Sequence, residues 1–398
     1  MMKDWKKVKI SDLGNVITGN TPPRKNPEFY GTHTIFIKPT DIQEDVRYTR
    51  NPEECYSDMG YKKYIKSLIP KGSTCVVTIG SIGKKITQAH CDCFVNQAIN
   101  AIVPNNFYDN DFIFYLLKNN LNQVKGLDSG TASGRENVSK STFSSIEMFV
   151  PESIETQQKI ASILSAYDDL IENNLRRIKL LEEMAAITYK EWFVNFTIEG
   201  EKLAIDETTG LPFGWERKSL VEIANLTMGQ SPESKFYNEE GIGIPFHQGV
   251  TGYGFRFPTN KTWSAEGSRF AEKGDILFSV RAPVGRLNIS IEKIILGRGL
   301  ASVRHKEEWN SFLYYQLKYI FFKDDIMGGG SIFNSVTKKD VELIQIIQGK
   351  TDIMRKFNKI VEPIDTTIEN LETQNRLLKE SRDILLPRLM SGAVNLTQ

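Results

Sequence analysis

The sequence contains an internal duplication, in which a pattern of about 200 residues occurs twice along the chain. Residues 5–13 align with residues 215–223, and the same offset of 210 carries Gly19-Asn20-Thr21-Pro22 onto Gly229-Gln230-Ser231-Pro232. Later in each copy, residues 133–146 align with residues 331–344 at an offset of 198. The offset drifts because loops differ in length while the framework is kept. A unit of this length is far longer than a solenoid repeat, so the pattern predicts a tandem duplication of a whole domain with a tail.

The first part of each copy predicts a lobe that mixes helices and strands. Residues 74–79 and 275–280 are short β-rich runs bounded by glycine turns. Residues 111–119 and 309–321 have the periodicity of helices with an aromatic core face. Each lobe is therefore expected to be α+β, with a small curved sheet and a few helices.

The tail of each copy predicts a long helix. Residues 154–193 contain neither Pro nor Gly, and core-type residues recur there every seven positions. These seam positions are Leu164, Ile171, Ile178, Ala185 and Trp192 with Tyr167, Asn174, Leu181 and Thr188 in the first tail, and Val361, Ile368, Asn375, Arg382 and Leu389 with Ile364, Leu371, Leu378 and Leu385 in the second. Heptads sustained this far favour a coiled coil of about 60 Å over long core helices. Pro363 is expected to bend the second helix or to shift its start.

Two units of the same plan predict antiparallel helices, with the lobes at opposite ends about a pseudo-two-fold axis. Facing residues in such a pair have numbers with a constant sum, which is 549 if Asn174 faces Asn375. The same register pairs Leu181 with Ile368, Thr188 with Val361, Ile160 with Leu389 and Tyr167 with Arg382. We expect the two amides to meet near mid-helix and fix the register, and the charge of Arg382 to extend outward. The alternative is that each Asn faces water.

The charge distribution excludes a uniformly polycationic nucleic-acid binder. The chain of 398 residues has 50 Lys and Arg against 49 Asp and Glu. Residues 1–150 carry a net charge of +4 and residues 213–349 of +2, whereas residues 151–212 between them carry −6. This layout favours two anion-facing lobes joined by an acidic spacer.

The sequence contains no recognisable catalytic or metal-binding motif. A phosphate-binding loop, a dinucleotide fingerprint and the Asn-Pro-Pro-aromatic site of an amino-methyltransferase are all missing. His90-Cys91-Asp92-Cys93 groups soft metal ligands, but it lacks a second ligand pair, so buried small residues and a surface His are expected instead of a zinc site. The four cysteines are too few for a disulfide framework and no signal peptide or long apolar run is present, so we expect a reducing, cytoplasmic location.

Polar loops recur at equivalent places in both lobes and supply the candidate DNA-binding residues. Amides pair with adenine, Arg pairs with guanine, and glycine turns let backbone N–H groups approach phosphate. The candidates of the first lobe are Asn20, Thr21, Arg24, Lys25, Lys38, Thr40, Lys62, Lys63, Ser81, Lys84, Asn96, Gln97, Thr131, Ser133 and Arg135. Those of the second lobe are Gln230, Ser231, Gln248, Arg281, Arg286, Arg298, Ser331 and Asn334.

Within that set, two roles are expected. The residues expected to contact bases are Asn96, Gln97, Thr131, Arg135, Arg281, Arg286 and Arg298. Lys62, Lys63 and Lys84 are expected to contact phosphates. The alternative is that all of these segments are ordinary turns and solvated loops.

Short motifs then give the chain a family resemblance. They are Leu211-Pro212-Phe213-Gly214-Trp215 with Gly229-Gln230-Ser231-Pro232, Trp5 with Gly19-Asn20-Thr21-Pro22, Ile69-Pro70-Lys71-Gly72, and Gly130-Thr131, Val138-Ser139 and Val150-Pro151 leading into Gln157-Gln158-Lys159-Ile160. In the order lobe, helix, lobe, helix, they make essentially the whole chain similar to the specificity subunit of a type I restriction–modification enzyme. The usual Glu-Gln pair that opens the helix reads Glu155-Thr156-Gln157 here, and the second copy, Lys350-Thr351-Asp352-Ile353, lacks it.

The resemblance implies an architecture of two tandem, pseudo-two-fold-related α/β target-recognition domains separated by two long antiparallel helices that form a coiled coil. Residues 1–150 and 213–349 would be the recognition domains, 151–200 and 350–398 the spacer helices, and 201–212 a linker.

The resemblance also implies a non-catalytic reader of a bipartite double-stranded DNA site that holds no cofactor of its own. Two modification subunits on the helices would supply S-adenosylmethionine and flip the target adenine, and restriction subunits would supply ATP and Mg-dependent cleavage. Two lobes reading one DNA face would be centred about 10 bp apart, with half-sites of about 3–5 bp and a gap of about 5–8 bp.

Three other classes remain open. One is a coiled-coil adaptor whose lobes bind proteins and do not read DNA. Another is an RNA-binding protein, for which clustered surface aromatics are expected, whereas the Tyr and Phe pattern here is typical of core. The third is a single-chain enzyme, which the missing methyltransferase and nuclease motifs disfavour.

Overall fold

The computed structural model describes residues 4–127, 136–322 and 335–394, and its contacts divide the chain into two compact units. The first unit comprises Met1–Arg177 and Leu371–Gln398, and the second comprises Ile178–Asn370. Each unit therefore combines one lobe with a segment of each long helix.

The first lobe alternates short strands with short helices. Its strands are β1 (Trp5–Lys9), β2 (Gly14–Thr18), β3 (Tyr30–Gly31), β4 (Thr34–Ile37), β5 (Glu54–Tyr56), β6 (Thr74–Val77), β7 (Ile86–Gln88), β8 (Phe94–Val95), β9 (Ile99–Pro104) and β10 (Glu147–Pro151). Its helices are α1 (Ile10–Leu13), α2 (Asp58–Tyr64), α3 (Asn110–Asn119), α4 (Leu121–Lys125) and α5 (Lys140–Ser144), with 3-10 turns at Pro27–Phe29 and Ile65–Ser67.

These strands form two sheets and a two-stranded ribbon. The first sheet is antiparallel in the order β2-β9-β6-β7, and the second has the order β3-β5-β4-β8 with β4 and β8 parallel. The ribbon pairs β1 with β10. The expectation of one small sheet per lobe was too simple, because two-residue strands such as β3 and β8 leave no periodic pattern in the sequence.

The β6 strand explains how the two sheets share one core. Val76 packs in a cluster with Phe112 of α3, whereas Cys75 packs with Ile37 and Val95 of the second sheet. Successive side chains of a strand point to opposite faces, so a strand covered on both faces is apolar throughout. The α3 helix therefore lies on one face of the first sheet, and the second sheet lies on the other.

The second unit begins with the end of the first long helix, continues through two short hairpins, and repeats the lobe. The hairpin strands are β11 (Thr197–Ile198), β12 (Glu201–Lys202), β13 (Ile205–Asp206) and β14 (Leu211–Pro212). The lobe strands are β15 (Glu216–Ser219), β16 (Ala224–Met228), β17 (Tyr237–Asn238), β18 (Ile244–His247), β19 (Trp263–Ser264), β20 (Phe270–Ala271), β21 (Ile276–Ser279), β22 (Leu287–Ile289), β23 (Ile294–Leu296), β24 (Leu300–His305) and β25 (Gln345–Gln348). Its helices are α7 (Leu220–Ile223), α8 (Asn310–Phe322) and α9 (Lys338–Glu342), with 3-10 turns at Ser234–Phe236 and Val250–Gly252.

The topology of the second lobe repeats that of the first. One sheet has the order β16-β24-β21-β22, and the other has the order β17-β19-β18-β23-β20 with β18 and β23 parallel. The ribbon pairs β15 with β25. The duplication seen in the sequence is thus a duplication of the strand order, and in the first lobe an antiparallel bridge between Ile69 and Cys93 takes the place of the β20–β23 pairing.

The remaining two helices are much longer than the others, and one of them follows each lobe. They are α6 (Ile154–Phe193) and α10 (Thr351–Met390), each 40 residues long. Gln157 anchors the start of α6 to its lobe, because its buried amide donates to Pro151 O and accepts from Asp109 N, both at 3.0 Å. The α10 helix continues through Pro363, so this proline does not mark its start.

The buried positions of the helices follow the predicted seams except along one line of α6. Leu164, Ile171, Ile178, Ala185 and Trp192 are all buried, as are Val361, Ile364, Ile368, Leu371, Asn375, Arg382 and Leu389. On the second seam of α6, however, Asp168, Glu182 and Tyr189 are buried, and Tyr167, Leu181 and Thr188 are only half-buried. Asn174 on this seam is buried as predicted, but the other three positions were one residue out of phase, because two of the side chains that are buried there are carboxylates. On α10, Leu378 and Leu385 are half-buried.

Within each unit the two helical segments run antiparallel. In the first unit Asn174 Nδ2 donates to Asn375 Oδ1 at 3.0 Å, and Asp168, earlier in α6, pairs with Arg382, later in α10. In the second unit the Trp192 ring lies 5.9 Å from that of Phe357. The paired amides agree with the register in which facing numbers sum to 549.

The expected outward course of Arg382 is wrong. Its side chain is fully buried, and its guanidinium donates to Asp168 and to Asp383. Asp168, the residue after the predicted seam position Tyr167, is buried and neutralises the guanidinium, so the charge of Arg382 is stabilised without contact with water.

Candidate nucleic-acid interface

Polar residues of the first lobe converge where three strands end. Asn20, just after β2, donates through its backbone N–H to Val95 O at 2.9 Å, and Asn96, just after β8, donates to Ile37 O, the end of β4, at 3.0 Å. The Thr21 hydroxyl donates to the side-chain oxygen of Gln97. The residues so gathered are called the first polar cluster: Asn20, Thr21, Lys38, Asn96 and Gln97.

The second lobe gathers an equivalent set, called the second polar cluster: Gln230, Ser231, Gln248 and Arg298. The Ser231 hydroxyl donates to Gln248 Oε1 at 2.7 Å and accepts from Arg298 N at 3.2 Å. Gln230 N donates to Leu296 O at 2.9 Å. The exposed ends of Gln230, Gln248 and Arg298 therefore lie around one serine.

The two clusters are built on matched positions. Thr21 and Ser231 stand at the offset of 210, and each hydroxyl contacts the segment that follows the matched strands β8 and β23. The preceding glycines make this approach possible: a Cβ on Gly19 would lie 2.1 Å from Asn96 O, and one on Gly229 would lie 2.1 Å from Gly297 O. No larger residue fits there without moving backbone, so glycine at both positions holds the clusters together.

Two matched hairpin turns carry further candidates. Ser81 and Lys84 lie in the turn between β6 and β7, and Arg281 and Arg286 lie in the turn between β21 and β22. Gly83 and its counterpart Gly285 both have left-handed backbone, with φ of 74° and 85°, which a glycine adopts without strain. Both turns thus display basic residues from the same backbone shape.

The basic candidates differ in how far carboxylates neutralise them. In the first lobe Lys38 Nζ donates to Glu53 at 2.7 Å, and Arg24 pairs with Glu54. The pair lowers the pKa of Glu53 below its ordinary value, chiefly through the hydrogen bond from Lys38. Among the residues described, Arg281, Arg286 and Arg298 have no such carboxylate within 4.0 Å. The exposed guanidiniums of Arg281 and Arg298 are therefore freer to bind an anion than Lys38 and Arg24 are.

The remaining candidates of the first lobe lie on exposed loops and on α2. Lys25 and Thr40 are exposed on loops. Lys62 and Lys63 are exposed on α2, and Lys63 Nζ lies 4.3 Å from the ring centre of Phe29. The other candidates, namely Thr131, Ser133, Arg135, Ser331 and Asn334, lie outside the described residues.

Each unit contains a buried cluster of charged side chains that the sequence analysis did not predict. In the first unit Asp168 of α6 accepts from the hydroxyl of Tyr115 on α3 at 2.6 Å and from Arg382 of α10. Lys118 lies nearby, and burial together with the charge of Arg382 lowers its pKa. One carboxylate thus connects the first lobe with both helical segments of its unit.

In the second unit an arginine of the lobe, Arg256, bridges Tyr315 and Asp365, the residues that match Tyr115 and Asp168. Arg256 Nη1 donates to Glu182 Oε1 at 2.7 Å and to Tyr315 Oη at 3.0 Å, while Nη2 donates to Asp365 Oδ1 at 2.6 Å. Lys318 Nζ donates to the other oxygen of Glu182 at 2.7 Å. Tyr115 and Asp168 match Tyr315 and Asp365 in the repeat, and this match is the sequence pattern that could have indicated the two clusters.

Two of the four histidines, His247 and His305, are buried and make structural contacts. Asn260 contacts His247 at 2.9 Å, and the ring of His305 stacks on Trp309 with centres 5.1 Å apart. Burial lowers the pKa of His305 to about 4. In the part of the chain that the structure describes, no three His, Cys, Asp or Glu residues come together as a metal site, and no helix has the length and apolar character to cross a bilayer.

Two segments of the chain, residues 2–183 and 212–380, match the family model for the type I restriction modification DNA specificity domain. The chain therefore belongs to that family, as a type I restriction–modification specificity subunit with two target-recognition domains. This confirms the resemblance inferred from the sequence and the predicted fold class.

Individual relatives agree with the assignment. Over 248 residues the chain is 34% identical to the putative type I restriction enzyme MjaX specificity subunit of Methanocaldococcus jannaschii, a match that spans 61% of this chain and 58% of that protein. It is 27% identical over 416 aligned positions to the MjaIX specificity subunit of the same organism, covering 100% of this chain and 95% of that one. In fold it is similar to the crystal structure of the type I restriction–modification S subunit from M. genitalium, with a TM-score of 0.61, 19% identity, and coverage of 99% and 97% of the two chains.

Proposed function

We propose that this chain reads a bipartite double-stranded DNA sequence, with one half-site bound by each lobe. The observation that carries the proposal is the pair of polar clusters, built on matched backbone in both lobes with exposed amide and guanidinium groups. A structural turn requires no such repeated exposed set, whereas a surface that reads base edges requires these groups.

The chemistry of the two clusters predicts different half-sites. Gln97 and Arg298 follow matched strands, yet a glutamine amide pairs bidentately with adenine and a guanidinium pairs with guanine. The clusters therefore provide one common frame with different reading groups. This is the arrangement expected of two lobes that recognise unlike halves of one site.

The long helices are proposed to bind two modification subunits. Leu180 and Ile187 of α6 are 64% and 61% exposed, and their counterparts at an offset of 197, Leu377 and Ile384 of α10, are 50% and 56% exposed. Large apolar side chains exposed at matched positions one heptad apart favour helix packing by a partner. Because the pattern occurs once in each copy, two partners of the same kind are expected.

In this account the chain itself carries out no covalent chemistry and acts in the cytoplasm, in keeping with its four free cysteines. The modification subunits supply S-adenosylmethionine and flip the target adenine, and restriction subunits supply ATP and Mg for cleavage. A nearly neutral recognition subunit suits this arrangement, because the partners contribute to neutralising phosphate.

The proposal is tested by selecting from a random duplex library with the full chain bound to its modification subunits. The expected result is enrichment of two short sequences at one fixed separation, with binding that weakens steeply as salt is raised. The matched control is the Gln97→Ala/Arg298→Ala chain, which should enrich less strongly. If the native complex enriches no sequence and shows no salt-dependent affinity for DNA, the protein-binding adaptor is favoured.

A further inference from the structure

The two lobes carry structurally equivalent buried arginines that the sequence alignment did not match. The carbonyl of Arg47 accepts from Gln88 N at 2.8 Å, and that of Arg256 accepts from Ile289 N at 2.8 Å. Gln88 and Ile289 are the last residues of the matched strands β7 and β22. The guanidinium carbons lie 5.4 Å and 5.5 Å from the ring centres of the matched residues Tyr115 and Tyr315.

The two arginines differ in what they bind. Arg47 Nε donates to Gln88 Oε1 at 2.8 Å and its Nη2 pairs with Asp111, so both partners belong to its own lobe. Arg256 instead pairs with Glu182 on α6 and with Asp365 on α10. The guanidinium of the second lobe thus joins that lobe directly to both helical segments of its unit.

Because the ion pairs of Arg256 are buried, they fix the orientation of the second lobe on its helical segments. The side chain of Arg256 is fully buried, and those of Glu182 and Asp365 are 5% and 16% exposed. Tilting the lobe on the helices would separate opposite charges away from water, whereas an apolar contact of the same area tolerates sliding. A planar guanidinium with three named acceptors therefore permits one orientation of the second lobe on its helices.

We propose that Arg256 is a positioning residue that sets the separation at which the second half-site is read, an inference that rests on the proposed function. One base pair added to the gap moves a half-site about 3.4 Å along the DNA and about one-tenth of a turn around it. A lobe held at one orientation rejects that displaced half-site, and a lobe free to tilt accepts it.

The test is the Arg256→Met substitution in the full chain bound to its modification subunits. Methylation rates are compared on duplexes with the native gap, with gaps one base pair longer and shorter, and with one base changed in either half-site. Discrimination against the wrong gaps should fall about tenfold, while discrimination against a wrong base stays unchanged. Arg47→Met is the matched control, since it removes an equally buried guanidinium that does not reach the helices, and it should keep the native gap preference.

A second variant separates positioning from loss of folding. Arg256→Met alone leaves Asp365 buried without its charge partner and Glu182 with Lys318 only. The Arg256→Met/Glu182→Gln/Asp365→Asn chain removes the arginine with both carboxylates and leaves the partly exposed Lys318 to solvent, so it should fold and still accept wrong gaps. If this triple variant melts like the native chain and keeps the native gap preference, or if Arg47→Met relaxes the gap equally, the inference is overturned. A native complex that methylates with no preference for two half-sites refutes the proposed function itself.

Discussion

At the scale of single residues, the exposed and the buried arginines of the second lobe have opposite tasks. The side chain of Arg298 is exposed and can pair with a base edge or a phosphate, whereas the buried guanidinium of Arg256 pairs with two carboxylates of its own unit. Loss of the first should change which DNA is bound, and loss of the second should change how the lobe is held.

The first prediction separates base reading from phosphate binding. Arg298→Ala should weaken binding by about 1–3 kcal/mol and relax the second half-site alone, because a bidentate contact to one base is lost. Gln97→Ala should relax the first half-site alone. Affinities measured on targets with one changed base in each half-site check both results. Lys62→Ala is the control, and it should weaken binding to every sequence and flatten the salt dependence. Equal losses on all targets from all three variants would identify a phosphate track without reading groups.

The second prediction concerns the pH dependence of stability. Burial lowers the pKa of His305 from 6.5 to about 4, so the folded chain holds this ring neutral while the unfolded chain protonates it first. Its stabilising contribution is complete above pH 6.5 and should be lost as the pH falls toward 4. Urea unfolding of the native chain and of His305→Gln, which cannot titrate, should show curves that converge over this range. Parallel curves would contradict the assignment.

At the scale of elements, the long helices show what the sequence predicts well and where it fails. The apolar seam from Leu164 to Trp192 was predicted correctly, because seven-residue spacing of apolar side chains is visible without a structure. Asp168 and Glu182 were missed, because a carboxylate on a helix is ordinarily solvated and only a buried arginine from another segment keeps it inside. The polar seam residues Asn174 and Asn375 were found because both stand at seven-residue positions of their seams, and pairing them gave the register.

The third prediction tests the buried carboxylate of the first unit. Asp168→Asn should lower the free energy of unfolding by about 3 kcal/mol, since it removes the buried carboxylate from Arg382 and leaves only the half-exposed Asp383 and Asp45 to pair with it. Asp169→Asn is the matched control, because that neighbouring side chain is exposed, and it should change stability by no more than about 0.5 kcal/mol. Denaturant unfolding of both chains measures the difference. Equal stabilities would mean that water reaches the Arg382 site.

The fourth prediction concerns the amide pair. Asn375→Leu should cost about 1–3 kcal/mol, because the buried amide of Asn174 loses its partner. The Asn174→Leu/Asn375→Leu chain should recover that stability and lose the register, so that targets with more than one gap length are methylated. Thermal unfolding and gap preference are measured on the same preparations. A stable double variant with the native gap would show that the pair specifies nothing.

At the scale of the whole molecule, duplication is the property that made the architecture predictable. The offsets of 210 and 198 implied two lobes of one plan, and the strand orders of the two lobes agree. The contacts that build the polar clusters were not predictable, because β8 and β23 reach them through a parallel pairing that joins segments distant in sequence. The equivalence of Arg47 and Arg256 also required coordinates, since the surrounding loops differ in length.

The fifth prediction treats the helices as a ruler. Deleting residues 175–181 together with the facing residues 368–374 removes one heptad from each helix, keeps the Asn174–Asn375 pair, and preserves the constant sum of 549 in the layers that remain. Seven residues span about 10.5 Å, the length of about 3 bp, so the gap should shorten by that amount. Sequencing of methylated DNA measures it. A deletion that alters the bases read while the gap persists would contradict the ruler.

Sequencing of the methylated adenines in DNA modified by this chain together with its modification subunits shows whether each lobe reads one half of a bipartite site. We expect two half-sites of about 3–5 bp separated by a constant unread gap of about 5–8 bp. We also expect Gln97→Ala and Arg298→Ala each to relax a different half. A single continuous motif, or methylation without sequence preference, would contradict the claim that each lobe reads one half of a bipartite site.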